Sequence, residues 1–158
     1  MPAPRFTVAR LGPHDLATLK AMLRLFGEVF DEPATYQGAV PDDAYLGRLL
    51  ASDAFIAVAA LADGQVVGAL AAYVLPKFEQ PRSEVYIYDL AVAASQRRRG
   101  VASAMIESLR GVATGLGAWV VFVQADEGDA PAIALYERFG RREQVLHFDI
   151  PLPARGRR

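Results

Sequence analysis

Between Ala54 and Val92 the chain carries three strand-like runs in close succession, and this stretch constrains the fold more than any other. Ala54–Leu61 is a compact apolar run, and Val66–Val74 follows after Asp63-Gly64, a dipeptide suited to a two-residue hairpin. Pro76 ends the second run, and Glu84–Val92, rich in Tyr, Val and Ile, forms the third. Runs so closely spaced pair as an antiparallel meander. The period then changes. Val101–Leu116 places apolar residues at 102, 105, 106, 109, 113 and 116, the spacing of a helix, with Gly117 to end it. Trp119–Gln124 reads as a buried strand, so the strand–helix–strand unit must be a right-handed parallel crossover.

The flanks complete the order. Arg5–Arg10 reads as a first strand. A helix follows from Asp15, with Leu16, Leu19, Met22, Leu23 and Phe26 on one face and Gly27 interrupting it near its end. DEPATYQGAVP reads as a loop, and Asp42–Leu50 as a second helix with Tyr45, Leu46, Leu49 and Leu50 on one side. Pro131–Phe139 is a short helix and Gln144–Ile150 a final strand. The expectation is one α/β domain over residues 1–158 with a mixed sheet, and a flexible tail from Pro151 to Arg158.

Composition removes several classes. With no cysteine, disulfides, thiolate nucleophiles and thiolate metal sites are excluded. His14 and His147 stand too far apart in sequence for a two-histidine zinc helix, so no metal is expected. The formal net charge of −1 argues against a nucleic-acid partner. No apolar run reaches the length of a membrane span, and the first residues lack the pattern of a signal peptide, which points to the cytoplasm.

Chemistry concentrates where the strand Tyr86–Val92 runs through AASQ into Arg97, Arg98, Arg99, Gly100, Val101, Ala102 and Ser103. The first N–H groups of a helix have no partner inside it, and the helix dipole adds partial positive charge there. Gly100 permits close approach of a ligand, and Ala102 and Ser103 are small. Such a turn suits a pyrophosphate. The plain alternative is three solvated arginines before an ordinary helix. The glycine-rich loops of nucleotide triphosphatases and of dinucleotide dehydrogenases are both absent.

Arg97-x-x-Gly100-x-Ala102, after a strand ending Asp89-Leu90-Ala91-Val92, resembles the acetyl-CoA loop of the GNAT superfamily of N-acetyltransferases. Ala132-Ile133-Ala134-Leu135-Tyr136-Glu137-Arg138-Phe139-Gly140 is similar to that superfamily's Ala-x-x-Leu-Tyr-x-x-x-Gly helix, and the resemblance covers nearly the whole chain. Leu25-Phe26-Gly27, Ala34-Thr35-Tyr36, Tyr45-Leu46-Gly47, Leu75–Gln80, Tyr86–Asp89 and His147–Ile150 resemble, more narrowly, the class I aminoglycoside 3-N-acetyltransferases. One departure is Asp129, where the superfamily often carries Asn; Asp can cap the helix equally well and its charge could face a cationic substrate.

The resemblance implies a mixed sheet of six to seven strands flanked by about four helices, acetyl-CoA as co-substrate, an aminoglycoside as acceptor and a homodimer. It implies that the end of the fourth strand splays from its neighbour, so that main chain at Leu90, Ala91 and Val92 pairs with the pantetheine arm. Backbone from Arg97 to Ser103 would hold the pyrophosphate. Tyr136 matches the tyrosine that protonates the departing thiolate, or else packs one face of a short helix. A phenol's ordinary pKa of about 10 lies above that of a thiol.

Asp89 is the candidate general base, because the attacking amine must shed a proton. A carboxylate in an apolar strand is costly without a partner or a purpose. Pairing with a nearby arginine or a backbone N–H would explain it as well. Glu84, Tyr86 and Tyr88 are reserves on the same strand. Tyr86, Asp126, Glu127, Asp129 and Asp149 are the candidates for binding a polycationic sugar, the acidic ones alternatively being solvated loop residues. His147 could hydrogen-bond in the site or be structural, and Trp119 and Phe122 are assigned to the core.

The mechanism expected is direct transfer in a ternary complex, with the Val92 N–H polarising the thioester oxygen. Rival readings on the same fold are an acetyltransferase for polyamines or protein amines, and a non-catalytic acyl-CoA-binding module.

Overall fold

The computed structural model describes residues 5–154, so only part of the expected tail is covered, and Arg155 to Arg158 lie outside the described residues. The elements run β1 (Thr7–Arg10), α1 (Leu16–Val29), α2 (Pro33–Gln37), α3 (Asp43–Ala51), β2 (Phe55–Ala62), β3 (Gln65–Pro76), β4 (Ser83–Val92), a single 3-10 turn (Ala94–Gln96), α4 (Val101–Gly115), β5 (Ala118–Val123) and α5 (Ala130–Glu137). They gather into two compact units, one ending at Gln124 and the other beginning at Ala125. No helix of the described residues is long and apolar enough to cross a membrane.

The first unit is built on one sheet in the order β1-β2-β3-β4-β5. β1 to β4 pair antiparallel, and β5 returns parallel to β4 after α4. Asp63 and Gly64 make the β2–β3 turn with φ of 49° and 75°, the left-handed pair a tight hairpin requires. One face of the sheet, carrying Ala57, Ala59, Ala69 and Ala91, packs with Leu19, Met22, Leu25 and Phe26 of α1 and with Leu46 and Leu50 of α3. Small side chains on the strands let α1 lie close while its larger residues fill the gap. The opposite face meets α4. A Cβ on Gly68 of β3 would stand 2.7 Å from Val101 Cγ1 and 3.0 Å from Met105 Cε, so this glycine is what lets the first turn of α4 seat on the sheet. Met105 and Leu109 are fully buried there, each contributing about 1.5–3 kcal/mol of transfer free energy.

Five expectations need correction. The segment expected as a loop, Asp31–Pro41, contains α2, whose proline at its first position has no N–H to leave unsatisfied. The described sheet has five strands rather than six or seven, and the helices number five. Gln144–Ile150 forms no strand: Leu146, Phe148 and Ile150 are 83%, 77% and 83% exposed. An alternating pattern specifies a face to bury but supplies no partner for the backbone, and without a ladder no strand forms. β5 is not buried but stands at the sheet edge. Trp119 is exposed there under the Arg82 guanidinium, 4.1 Å from its ring, instead of joining the core. Gly27, expected to interrupt α1, lies buried within it.

Candidate active site

β4 changes character halfway along. Its parallel ladder with β5 runs from Ser83–Ala118 to Ile87–Val123 and stops, while β4 itself continues to Val92. On its other side the antiparallel ladder with β3 continues as far as Val92–Gly68. Ala93 N–H donates to Val67 O at 2.8 Å, so the alternation of that ladder turns the N–H groups of Val92 and Leu90 away from β3, toward the side β5 has left. Beside Leu90, Ala91 and Val92, the positions expected to pair with the donor's arm, β4 thus has no strand partner on that side, because β5 ends at Val123.

A bulge sits at the point of parting. Ile87 pairs with Ala72 and Asp89 with Ala71, leaving Tyr88 as the extra residue. Strict alternation would put Asp89 on the face of Val85 and Ile87, beneath α4. The bulge instead sets Tyr88 and Asp89 on the face of Tyr86, toward α1 and α2. Tyr88 packs edge-on against Tyr73 and Tyr86, each at 5.6 Å, and Tyr86 stacks on Phe122 at 4.6 Å. Phe122 therefore joins this aromatic row rather than the main core. The Tyr86 hydroxyl donates to Gln124 Oε1 at 2.9 Å.

The partner of Asp89 is neither an arginine nor a backbone N–H. The Tyr36 hydroxyl, from α2, donates to Asp89 Oδ1 at 3.1 Å. Burial raises the Asp89 carboxyl above the ordinary carboxylate range; the Tyr36 hydrogen bond opposes the shift, and the Glu32 charge adds to it. Burial likewise raises the phenol of Tyr36, helped by Asp89, so it stays a donor. A carboxylate with raised proton affinity at the edge of an opened strand suits a general base. Of the reserves, Glu84 lies within 3.8 Å of Lys77 at the paired end of β4, and Tyr88 is exposed.

α4 opens beside the splayed strand end. Gly100 precedes its first residue with φ of 79°, no side chain caps it, and its first turn holds no acidic residue. A Cβ on Gly100 would meet nothing within 4 Å, so open space lies over the turn. Arg98 is also left-handed, at φ 60°, and Arg97, Arg98 and Arg99 are exposed and take part in none of the ion pairs among the described residues. Val101 is buried, while Ala102 and Ser103 are only partly covered. Open amides, a left-handed glycine and uncommitted cations fit a diphosphate, and the free N–H groups of Leu90 and Val92 fit the amide-bearing arm attached to it.

The remaining candidates belong to the second unit. Asp129 caps α5, its Oδ1 accepting the Ala132 N–H at 3.2 Å, the role expected of it. Burial, and after it the Asp129 charge, pushes the Tyr136 phenol up to about 12. The phenol is therefore protonated at neutral pH. Full transfer of its proton to a thiolate, whose conjugate acid has a pKa of about 8.5, runs uphill, so hydrogen-bond donation is the easier role. Asp126, Glu127 and Asp149 are exposed, and Asp149 Oδ1 lies 2.9 Å from His147 Nε2.

Tyr36 had no assigned role in the sequence. The signal was its place in an Ala-Thr-Tyr segment predicted to be loop, and nothing local connects it with Asp89.

The acetyltransferase (GNAT) family matches residues 19–140. No curated protein sequence matches the chain. Among solved structures, an aminoglycoside acetyltransferase, HMB0005, from an uncultured soil metagenomic sample is 55% identical, with a TM-score of 0.92 over 94% of this chain and 99% of that one. A second, meta-AAC0020, also from an uncultured soil metagenomic sample and in complex with sisomicin, is 32% identical, with a TM-score of 0.86 over 94% and 97%. AAC(6')-Iy with a bisubstrate analog is 19% identical at a TM-score of 0.72, covering 93% and 99%, a likeness of fold alone.

Proposed function

The chain belongs to the GNAT acetyltransferase family, and from that premise we propose that it moves acetyl from acetyl-CoA to the 3-amino group of gentamicin-type aminoglycosides. Resistance to the drug, a cytoplasmic setting and a homodimer are parts of the same reading. The observation that carries it is the end of the β4–β5 ladder at Ile87, which opens main chain for the donor directly beside Asp89. The two neighbours named aminoglycoside acetyltransferases, at 55% and 32% identity, favour this acceptor class. So does the row of Tyr73, Tyr86 and Tyr88, whose rings suit the apolar faces and ammonium groups of an amino sugar better than a flexible polyamine.

Bound acetyl-CoA supplies a thioester carbonyl open to attack. The amides from Arg97 to Ser103 hold the diphosphate, with Arg97, Arg98 and Arg99 adding long-range attraction. Main chain at Leu90 and Ala91 fixes the pantetheine arm, and the Val92 N–H polarises the thioester oxygen. Asp89 accepts the proton that the amine loses as the new N–C bond forms and the C–S bond breaks, directly or through one water. The family resemblance assigns Tyr136 the part of hydrogen-bond donor to the sulfur as it takes up negative charge, a part that its protonated phenol allows. The resemblance likewise assigns the exposed Asp126, Glu127 and Asp149, together with Asp129, long-range attraction for the polycation.

The test is thiol release from acetyl-CoA with gentamicin, spermidine and a lysine peptide as acceptors, followed by NMR assignment of the acetylated nitrogen. Turnover on gentamicin with acetyl at the 3-amine is expected. Faster turnover on spermidine or the peptide would move the assignment to the rival acceptor, and coenzyme A binding without turnover would reduce the chain to a binding module.

A further inference from the structure

We infer that Tyr36 is a positioning residue for Asp89: its hydroxyl fixes one carboxylate oxygen, aims the other at the acceptor amine, and sets the proton affinity of the pair. The inference rests on the reading of Asp89 as the base and adds a residue to it.

The architecture of α2 supports this. It spans only Pro33–Gln37, too short to hold itself together, and has no fully buried residue. Tyr36 is its one partly buried side chain. The chain leaves α1 through Asp31 at a left-handed φ of 52°, and the Glu32 N–H donates to Gly27 O at 3.0 Å, folding α2 back on α1. Gly27 supplies the room: a Cβ there would touch Tyr36 Cβ at 3.5 Å and Pro33 Cα at 3.7 Å, so alanine fits but nothing longer does without moving α2. Phe26 and Phe30 then bracket the Tyr36 ring at 5.6 and 5.8 Å. A tight turn, a glycine contact and two aromatic neighbours thus deliver a single hydroxyl to Asp89 Oδ1.

The chemistry follows from the donor count. A phenol has one O–H, and spending it on Oδ1 leaves Oδ2 for the amine proton. Donation to the carboxylate favours its charged form, against burial and the Glu32 carboxylate. The other titratable groups on this side are phenols: Tyr73 from β3, Tyr86 and Tyr88 from β4, and Tyr45 of α3 beyond Tyr73. The facing residues of α1, Phe26 and Phe30, are apolar. Tyr36 is therefore the group that keeps the base ionised.

Tyr36→Phe keeps the ring packing and removes only the O–H. The acid limb of kcat/KM for gentamicin should move to higher pH by about one unit, with the plateau down about tenfold and the KM for acetyl-CoA unchanged. Carboxyl 13C NMR of Asp89 in the free enzyme should show the same upward shift, independent of turnover. Tyr36→Leu should add a fall in thermal stability. If Tyr36→Phe left both the limb and the NMR titration unmoved while Asp89→Asn stayed inactive, Tyr36 would be packing only and the inference would be overturned. If the NMR titration moved but Asp89→Asn kept full rate, Tyr36 would still set the carboxylate, and it is the base assignment that would fail.

Discussion

The two halves of β4 differ in how their backbone is satisfied. Ser83–Ile87 is laddered on both sides, by β3 and β5, and its inward residues Val85 and Ile87 are buried. Tyr88–Val92 is laddered by β3 alone and carries the bulge, the half-buried Asp89 and two amides turned away from β3 with no strand beside them. A backbone group without an internal partner must find one in solvent or in a ligand. The closed half is therefore a fold element, and the open half is where a ligand can complete the sheet. The mouth of α4 repeats the lesson a few residues on, since its first N–H groups also lack a cap.

That contrast predicts that changes in the open half cost rate or affinity, and changes in the closed half cost stability. The largest effect should come from Asp89→Asn, which should lower kcat/KM by about 10²–10⁴-fold while circular dichroism shows an intact fold. For the wild type, activity should fall as pH drops through the Asp89 pKa. Because burial raises that pKa, the acid limb should lie above the ordinary carboxylate value. An Asp89→Asn enzyme with wild-type rate at neutral pH would break the contrast outright. Next, Gly100→Val should weaken acetyl-CoA by about 10–100-fold in calorimetry, because a branched side chain at φ 79° both strains the turn and covers the amides.

A milder effect of the opposite kind is expected from Ile87→Val, in the closed half. It should cost about 1 kcal/mol, or about 2–4 °C in Tm, with kcat/KM within about twofold of wild type. The smallest change should be Arg98→Ala: the exposed guanidinium is screened, and the KM for acetyl-CoA should rise less than about threefold at physiological salt. A larger loss there would mean that side chains rather than amides hold the diphosphate.

Much of the scaffold was legible in the residues. The Asp63-Gly64 hairpin, the helical spacing of Val101–Leu116 and the Asp129 cap all act over a few residues, so they can be read locally. Gln144–Ile150 shows the limit of such reading, since its alternation is real but its partner is not in the pattern. Trp119 and Phe122 fail for the same reason: hydrophobicity assigns them to an interior, and only the sheet order shows β5 at an edge.

By itself the sequence determined most of the helices and strands, the Asp63-Gly64 turn, and that a helix start without an acidic cap follows a strand whose second half bears a single carboxylate, Asp89. The tertiary structure decided which way that carboxylate faces. The bulge at Tyr88 arises from the register of β4 against β3, and the hydroxyl on Asp89 comes from Tyr36, 53 residues away. Register and long-range contact are settled by how whole faces pack, and no short window of residues encodes that.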